Sequence, residues 1–97
     1  MKVTVVRIYV TEGKHVHEAI FTHLHDIEKV RGVTIFRGIS GFGQSGNVHS
    51  SSLLDISLDM PVVIEFFDSP EKVQEALEKI RLMLNPGHVL TFSAELN

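Results

Sequence analysis

The sequence predicts an α+β fold: a four-stranded antiparallel sheet covered on one face by two helices, in the ferredoxin-like order βαββαβ. Three observations predict it. Four runs of β-branched and aromatic residues alternate with period 2, two intervening stretches repeat apolar residues at helical spacing, and a Gly/Ser-rich segment separates the middle two strands. The chain has 97 residues, 43% of them apolar, which suffices for one hydrophobic core but not two, so residues 1–97 read as a single domain.

The first strand is Lys2–Val10 (KVTVVRIYV). The first helix is His15–Arg31, where Val16, Ala19, Ile20, Leu24, Ile27 and Val30 recur at helical spacing and Gly32 stands in the place of a C-terminal cap. Val33–Ile39 is the second strand. It runs into Arg37–Ser52 (RGISGFGQSGNVHSSS), which holds four of the seven glycines and predicts a long flexible loop at about residues 40–57. Met60–Phe67 is the third strand. Ser69 as N-cap and Pro70 at the first helical position open the second helix, which buries Val73, Ala76, Leu77, Ile80 and Leu84 and stops before Asn85-Pro86-Gly87. His88–Leu96 is the last strand, and the split βαβ connection predicts the strand order 4-1-3-2.

Alternation divides each strand between two faces. The helix-covered set is read as Thr4, Val6, Ile8 and Val10; Thr34, Phe36 and Gly38; Val62, Ile64 and Phe66; and Leu90, Phe92, Ala94 and Leu96. The opposite set carries Val3, Val5, Tyr9, Val33, Ile35, Ile39, Val63, Phe67 and Val89 around Arg7, Arg37, Glu65 and Glu95. An apolar face of that extent calls for another chain, so a homo-oligomer is expected, with Arg7 and Arg37 pairing with the carboxylates on neighbouring strands.

Composition excludes several classes. A net charge of −3 gives no basic footprint for nucleic acid, and no run approaches the length of a membrane span. Zero cysteines remove disulfides, thiolate metal sites and cysteine nucleophiles. Met1-Lys2 leads directly into the first strand rather than a signal-peptide core, so a soluble cytoplasmic protein is expected.

Six histidines raise a metal site, but His15, His17, His23 and His25 contain no pair three or four apart, so on a regular helix none chelates with another and no metal residue is assigned. His23 lies on the apolar stripe and is read as partly buried; the other three are read as solvated. His49 beside Ser50 lacks a third orienting group, and no catalytic residue is assigned. Phe21 is read as pointing away from the core, and Glu75 with Lys79 as an exposed helix pair.

The run VTIFRGISGFGQSGNVHSSSLLDISLDMPVVIEFFD, with HEAIFTHLHDI before it and EKVQEALEKI after it, resembles the PII-like proteins of domain-of-unknown-function family 190 over nearly the whole chain. The resemblance implies a trimer related to the PII signal-transduction proteins, whose nucleotides sit in clefts between subunits and whose long loop reports them to a partner protein. It places the ligand at Arg37, Gly38, Gly41, Phe42, Gly43, Gln44, Gly46, His49 and Ser50 of one chain and at Asn85, Gly87 and His88 of its neighbour. Gln44 stands where classical PII proteins often carry arginine, which leaves Arg37 as the clearest fixed cation near the glycines. No cofactor is fixed by the residues themselves; the ligand implied is an adenine nucleotide. The expected function is therefore a regulatory, ligand-responsive protein rather than an enzyme. Two other readings stay open, a metal-binding trimer resembling the divalent-cation tolerance proteins and a trimeric scaffold without ligand.

Overall fold

The computed structural model describes residues 1–43, 46, 48–50 and 59–97, with 49 and 50 described by their backbone. The elements are β1 (Lys2–Thr11), a 3-10 turn (Glu12–Lys14), α1 (Val16–His23) continued by a π-helical turn (Leu24–Glu28), β2 (Gly32–Arg37), β3 (Ser40–Phe42), β4 (Val48–Ser50), β5 (Pro61–Asp68), α2 (Pro70–Ile80), a second 3-10 turn (Arg81–Met83) and β6 (Val89–Glu95). The main sheet is antiparallel in the order β2-β5-β1-β6. Counting the four long strands in chain order, this is the predicted 4-1-3-2 seen from its other edge. No helix among the described residues is long and apolar enough to cross a membrane.

The second helix forms as its sequence dictates. Ser69 Oγ accepts the Lys72 N–H at 3.2 Å, Pro70 supplies the preset φ of the first helical residue, and Val73, Ala76 and Ile80 fall on one buried stripe. They meet Ile20 and Leu24 of the first helical segment and Val6, Ile8, Val62, Ile64 and Phe66 of the sheet in one core.

The first helix departs from its predicted form at both ends. His15 has φ 55° and stands outside the helix. At the other end the chain widens into a π turn, in which the Lys29 N–H bonds the Leu24 carbonyl, and Lys29 itself takes the left-handed conformation (φ 53°) that Gly32 was expected to supply. The Val30 N–H reaches the same carbonyl at 3.2 Å. Gly32 instead opens β2, where a β-carbon would stand 2.9 Å from the Phe67 ring. Widening the turn moves Ile27 off the apolar stripe, leaving it 63% exposed, and brings Glu28 into the interior.

Cross-strand register corrects the face assignment on both edge strands. Val6, Ile8 and Val10 pair with Phe66, Ile64 and Val62 on the helix-covered face, as expected. In β2, however, Val33, Ile35 and Arg37 pair with Phe66, Ile64 and Val62, so they share that face, while Phe36 pairs with Val63 on the open one. In β6, Leu90, Phe92 and Ala94 pair with Arg7, Val5 and Val3 and are likewise on the open face; Val89 pairs with Ile8 and Glu95 with Lys2 on the other. Alternation within a strand tells which residues face together. Only pairing with a neighbour tells which way.

On the open face Arg7 Nε donates to Glu65 Oε2 at 2.8 Å and its guanidinium lies 5.1 Å from the Phe92 ring centroid. The hydrogen bond to Glu65 raises the Arg7 pKa further, against the burial that lowers it. Between the helices, Glu28 is fully buried. His23 Nε2 lies 2.9 Å from its Oε2, Lys79 Nζ 3.5 Å from the same oxygen and Lys72 Nζ 3.8 Å from Oε1. Burial pushes the Glu28 carboxyl up, but the His23 hydrogen bond and the Lys79 charge prevail and hold it below the ordinary glutamate value of 4.5. The Glu28 charge in turn raises Lys79, which also pairs with Glu75 at 3.4 Å.

A carboxylate held below its unfolded value stabilises the fold above that value and loses this contribution as pH falls through the lower, folded one. Stability measured by denaturation should therefore drop as pH falls below 4.5. The drop should be shallower in Glu28→Gln, and an equal slope in the two proteins would refute the assignment.

Candidate functional site

The loop expected at about 40–57 is in part a hairpin: β3 and β4 pair antiparallel, Ser40 with Ser50, Gly41 with His49 and Phe42 with Val48. Its glycines have different jobs. Gly38 donates its N–H to the Pro61 carbonyl at 2.7 Å, and a β-carbon there would stand 2.9 Å from Pro61 Cγ and 3.3 Å from the Pro61 carbonyl oxygen. Gly41 packs on the same proline, with its built β-carbon 3.4 Å from Cγ. Gly46 has φ 77°, which favours glycine, and donates to the Gly43 carbonyl at 3.0 Å. Gly43 accepts that hydrogen bond, but neither a positive φ nor, among the described residues, a neighbour within 4 Å of a built β-carbon requires a glycine there.

That bare backbone lines a cavity of about 380 Å³ at one end of the sheet. Its walls are Tyr9, Val10 and Thr11 of β1, Lys14 and Val16 after them, Pro61, Val62 and Val63 of β5, Phe42 and Gly43 of the hairpin, and Met83, Leu84, Asn85 and His88 before β6. Antiparallel pairing explains the convergence. The end of β1 and the start of β6 are neighbours, Ile8 opposite Val89, and Thr11 is opposite Pro61 at the start of β5, so the turns joined to these strands meet at one place.

Four expected residues, Phe42, Gly43, Asn85 and His88, line the cavity together. They do so within a single chain, whereas the expectation set the Asn85–His88 turn of a neighbour against the loop. The turn is closed by His88 N–H to the Asn85 carbonyl at 3.3 Å, with Gly87 at φ 84°. His88 is fixed by Tyr9 twice: its carbonyl accepts the Tyr9 N–H at 2.9 Å, and its Nδ1 lies 3.0 Å from the Tyr9 carbonyl oxygen. A carbonyl only accepts, so Nδ1 carries the proton and the lone pair of the neutral ring is left on Nε2.

Arg37 is not among the walls. Its Nε donates to Glu12 Oε1 at 2.7 Å, an ion pair with the turn after β1 and not the pairing with Glu65 that the face assignment implied. The cation at the cavity is Lys14, exposed and without an ion-pair partner among the described residues. Sequence reasoning passed over it because it lies far along the chain from the glycines. Its only signal was position, in the turn that the sheet order sets beside the one before the last strand. Gln44 lies outside the described residues, as do the side chains of His49 and Ser50.

The histidines divide differently from their sequence reading. His15 and His25 are exposed, and the His25 ring stacks on Phe21 with centroids 6.3 Å apart. His17, read as solvated, is largely buried, and its Nδ1 has no hydrogen-bond partner among the described residues. His15 stacks on His17, centroids 6.2 Å apart, because it stands outside the helix that would have separated them. Among the described residues no three histidine, aspartate or glutamate side chains are grouped to hold a metal.

The model of domain-of-unknown-function family 190, described as "Uncharacterized ACR", matches residues 3–96. A UPF0166 protein of Methanocaldococcus jannaschii is 32% identical over 95 residues, covering 93% of this chain and 87% of its own. Among solved structures, a nitrogen regulatory PII-like protein named CPII, from Thiomonas intermedia K12 and bound to ADP, AMP and bicarbonate, superposes with a TM-score of 0.75 at 23% identity, covering 99% of this chain and 89% of that one. The divalent ion tolerance protein CutA1 from Ehrlichia chaffeensis superposes with a TM-score of 0.63 at 12% identity, covering 98% and 81%. Both likenesses show the shared fold.

The division of labour among the glycines is open to test by chemical denaturation. Gly38→Ala should cost about 1–3 kcal/mol, as overpacking does, while Gly43→Ala should stay within about 0.5 kcal/mol of the parent. Equal costs would mean that the contact with Pro61 is not what requires Gly38.

Proposed function

Because the chain belongs to domain-of-unknown-function family 190, we propose that it works in the cytoplasm as a PII-like regulatory protein that binds an adenine nucleotide and is not an enzyme. The observation that carries this reading is the cavity, in which a lysine, an oriented imidazole, a bare glycine backbone and an exposed phenylalanine line one space. Those are the parts that a flat ring with an anionic tail requires. Phe42, 76% exposed, offers a ring face for stacking. Lys14 offers a mobile cation for phosphate, and Gly43 lets a ligand reach backbone that any side chain would screen. The PII-like protein bound to ADP and AMP supports the choice of nucleotide.

Signalling follows from where the walls come from. Phe42 and Gly43 belong to the hairpin, whereas the other walls belong to the sheet, its turns and the start of α1. A ligand touching both favours the arrangement that brings them together, and a partner protein that reads the hairpin then distinguishes bound from free.

The assembly proposed is a homotrimer that covers the open face. Phe36 and Leu90 are 52% and 49% exposed there, with Tyr9 and Phe92 beside the Arg7–Glu65 pair. The resemblance to PII proteins supports three chains rather than two.

Two experiments test the reading. Titration calorimetry with ADP should show Lys14→Ala weakened by about 1.5–3 kcal/mol, the range for hydrogen bonds to charged groups, and Arg37→Ala unchanged; no binding by the parent protein rejects the nucleotide. Light scattering should show that Phe36→Glu dissociates the assembly, since it sets an unpaired carboxylate in an apolar interface. The dissociated chain should still bind ADP, because one chain supplies the walls; loss of binding on dissociation would assign the site to two subunits.

A further inference from the structure

The sequence and the structure disagree about one side chain, and the disagreement is itself informative. Apolar periodicity assigns Ile27 to the core with Ile20 and Leu24, yet Ile27 is 63% exposed and its neighbour Glu28 is buried in its stead. The exchange is made by the π turn, Leu24–Glu28, a widened geometry that is uncommon in helices. Leaving a large aliphatic side chain in water while burying a carboxylate runs against the hydrophobic effect on both counts.

What holds this arrangement is the group around Glu28. His23 comes from the same helical segment, and Lys72, Glu75 and Lys79 come from α2. His23 Nε2 is 2.9 Å and Lys79 Nζ 3.5 Å from Glu28 Oε2. Oε1 has no hydrogen bond among the described residues, with Lys72 Nζ 3.8 Å away, and Glu75 lies beyond, pairing with both lysines at 4.0 and 3.4 Å. The carboxylate is thus charged, enclosed and only partly satisfied, and its burial depends on the His23 hydrogen bond together with the two lysines.

We infer that residues 24–31 encode two registers, the observed π turn with Glu28 inside and an α-helical turn with Ile27 inside, and that the charges of Glu28, Lys72 and Lys79 select between them. Rewinding the turn returns Ile27 to the stripe of Ile20 and Leu24, releases Glu28 to water, and passes the freed residue to the link Lys29–Arg31. The left-handed Lys29 ends the helix one residue after the exchange, so the change is confined to the end of the first helix and leaves β2 in register. A change of the two lysines' charge therefore alters which side chain the surface presents at this point, an isoleucine or a glutamate.

Solvent paramagnetic relaxation of the isoleucine methyls reads the register directly, on the full chain at neutral pH. In the parent protein the Ile27 methyl should relax strongly, and those of Ile20 and Ile80 weakly. In Glu28→Gln, and independently in Lys72→Met/Lys79→Met, which keeps the lysine stems and removes their charge, the Ile27 rate should fall to that of Ile20. An Ile27 methyl that stays exposed in a folded variant of either kind overturns the inference. Should Glu28→Gln not fold, the double lysine variant decides; failure of both to fold also overturns it, because a turn with a second register has somewhere to go.

Discussion

Strand β1 is the constraint on which the rest of the molecule depends. It is hydrogen-bonded on both sides, to β5 along Thr4–Thr11 and to β6 along Lys2–Ile8, so two independent registers are locked to one backbone. A slip of one residue on either side would turn a whole strand over and exchange its core residues for its outer ones. The same strand supplies Val6 and Ile8 to the core, Arg7 to the open face, and Tyr9 to both the cavity wall and the hydrogen bonds that orient His88. Core, open face and cavity wall are thus three readings of one alternation.

The two charge clusters show how environment decides what an ion pair does. Arg7–Glu65 lies on the open face with both side chains still partly in water, where a pair contributes little on its own. Its use is to keep polar groups satisfied inside an otherwise apolar surface. Glu28 is enclosed, and there a carboxylate that lost its partners without reaching water would cost far more than the pairing stabilised.

Much of the architecture was legible, and the failures have distinct physical causes. Element type and order follow from periodicity and from Ser69-Pro70, which act over a few residues and are visible along the chain. The faces of β2 and β6 were not, since parity within a strand is local but its absolute sense is set across the sheet. Ile27 was misplaced because the spacing rule assumes a constant turn, and nothing in Leu24–Glu28 marks a wider one. Phe42, Gly43, Asn85 and His88 could be brought together from the glycines and the resemblance; Lys14 needed the strand order, which places the turn after β1 against the turn before β6. The hairpin strands β3 and β4 were hidden because each is three residues long and lies in a Gly/Ser-rich run too short to show alternation.

The excursion from Gly38 to Pro61 leaves and re-enters the body at one spot. Gly38 N–H and the Pro61 carbonyl join its two ends at 2.7 Å, and the returning side is fastened again by Glu12 N–H to the Met60 carbonyl at 2.9 Å and Gly13 N–H to the Asp59 carboxylate at 2.7 Å. A loop sewn shut at its neck is an appendage in the thermodynamic sense. Doubling its length adds only about 0.6 kcal/mol of closure entropy, and among its described side chains Met60, at the neck, is the one buried with the core. The neck is accordingly the natural place to lengthen, shorten or exchange the segment wholesale, giving the same small sheet a different reach without asking it to fold differently.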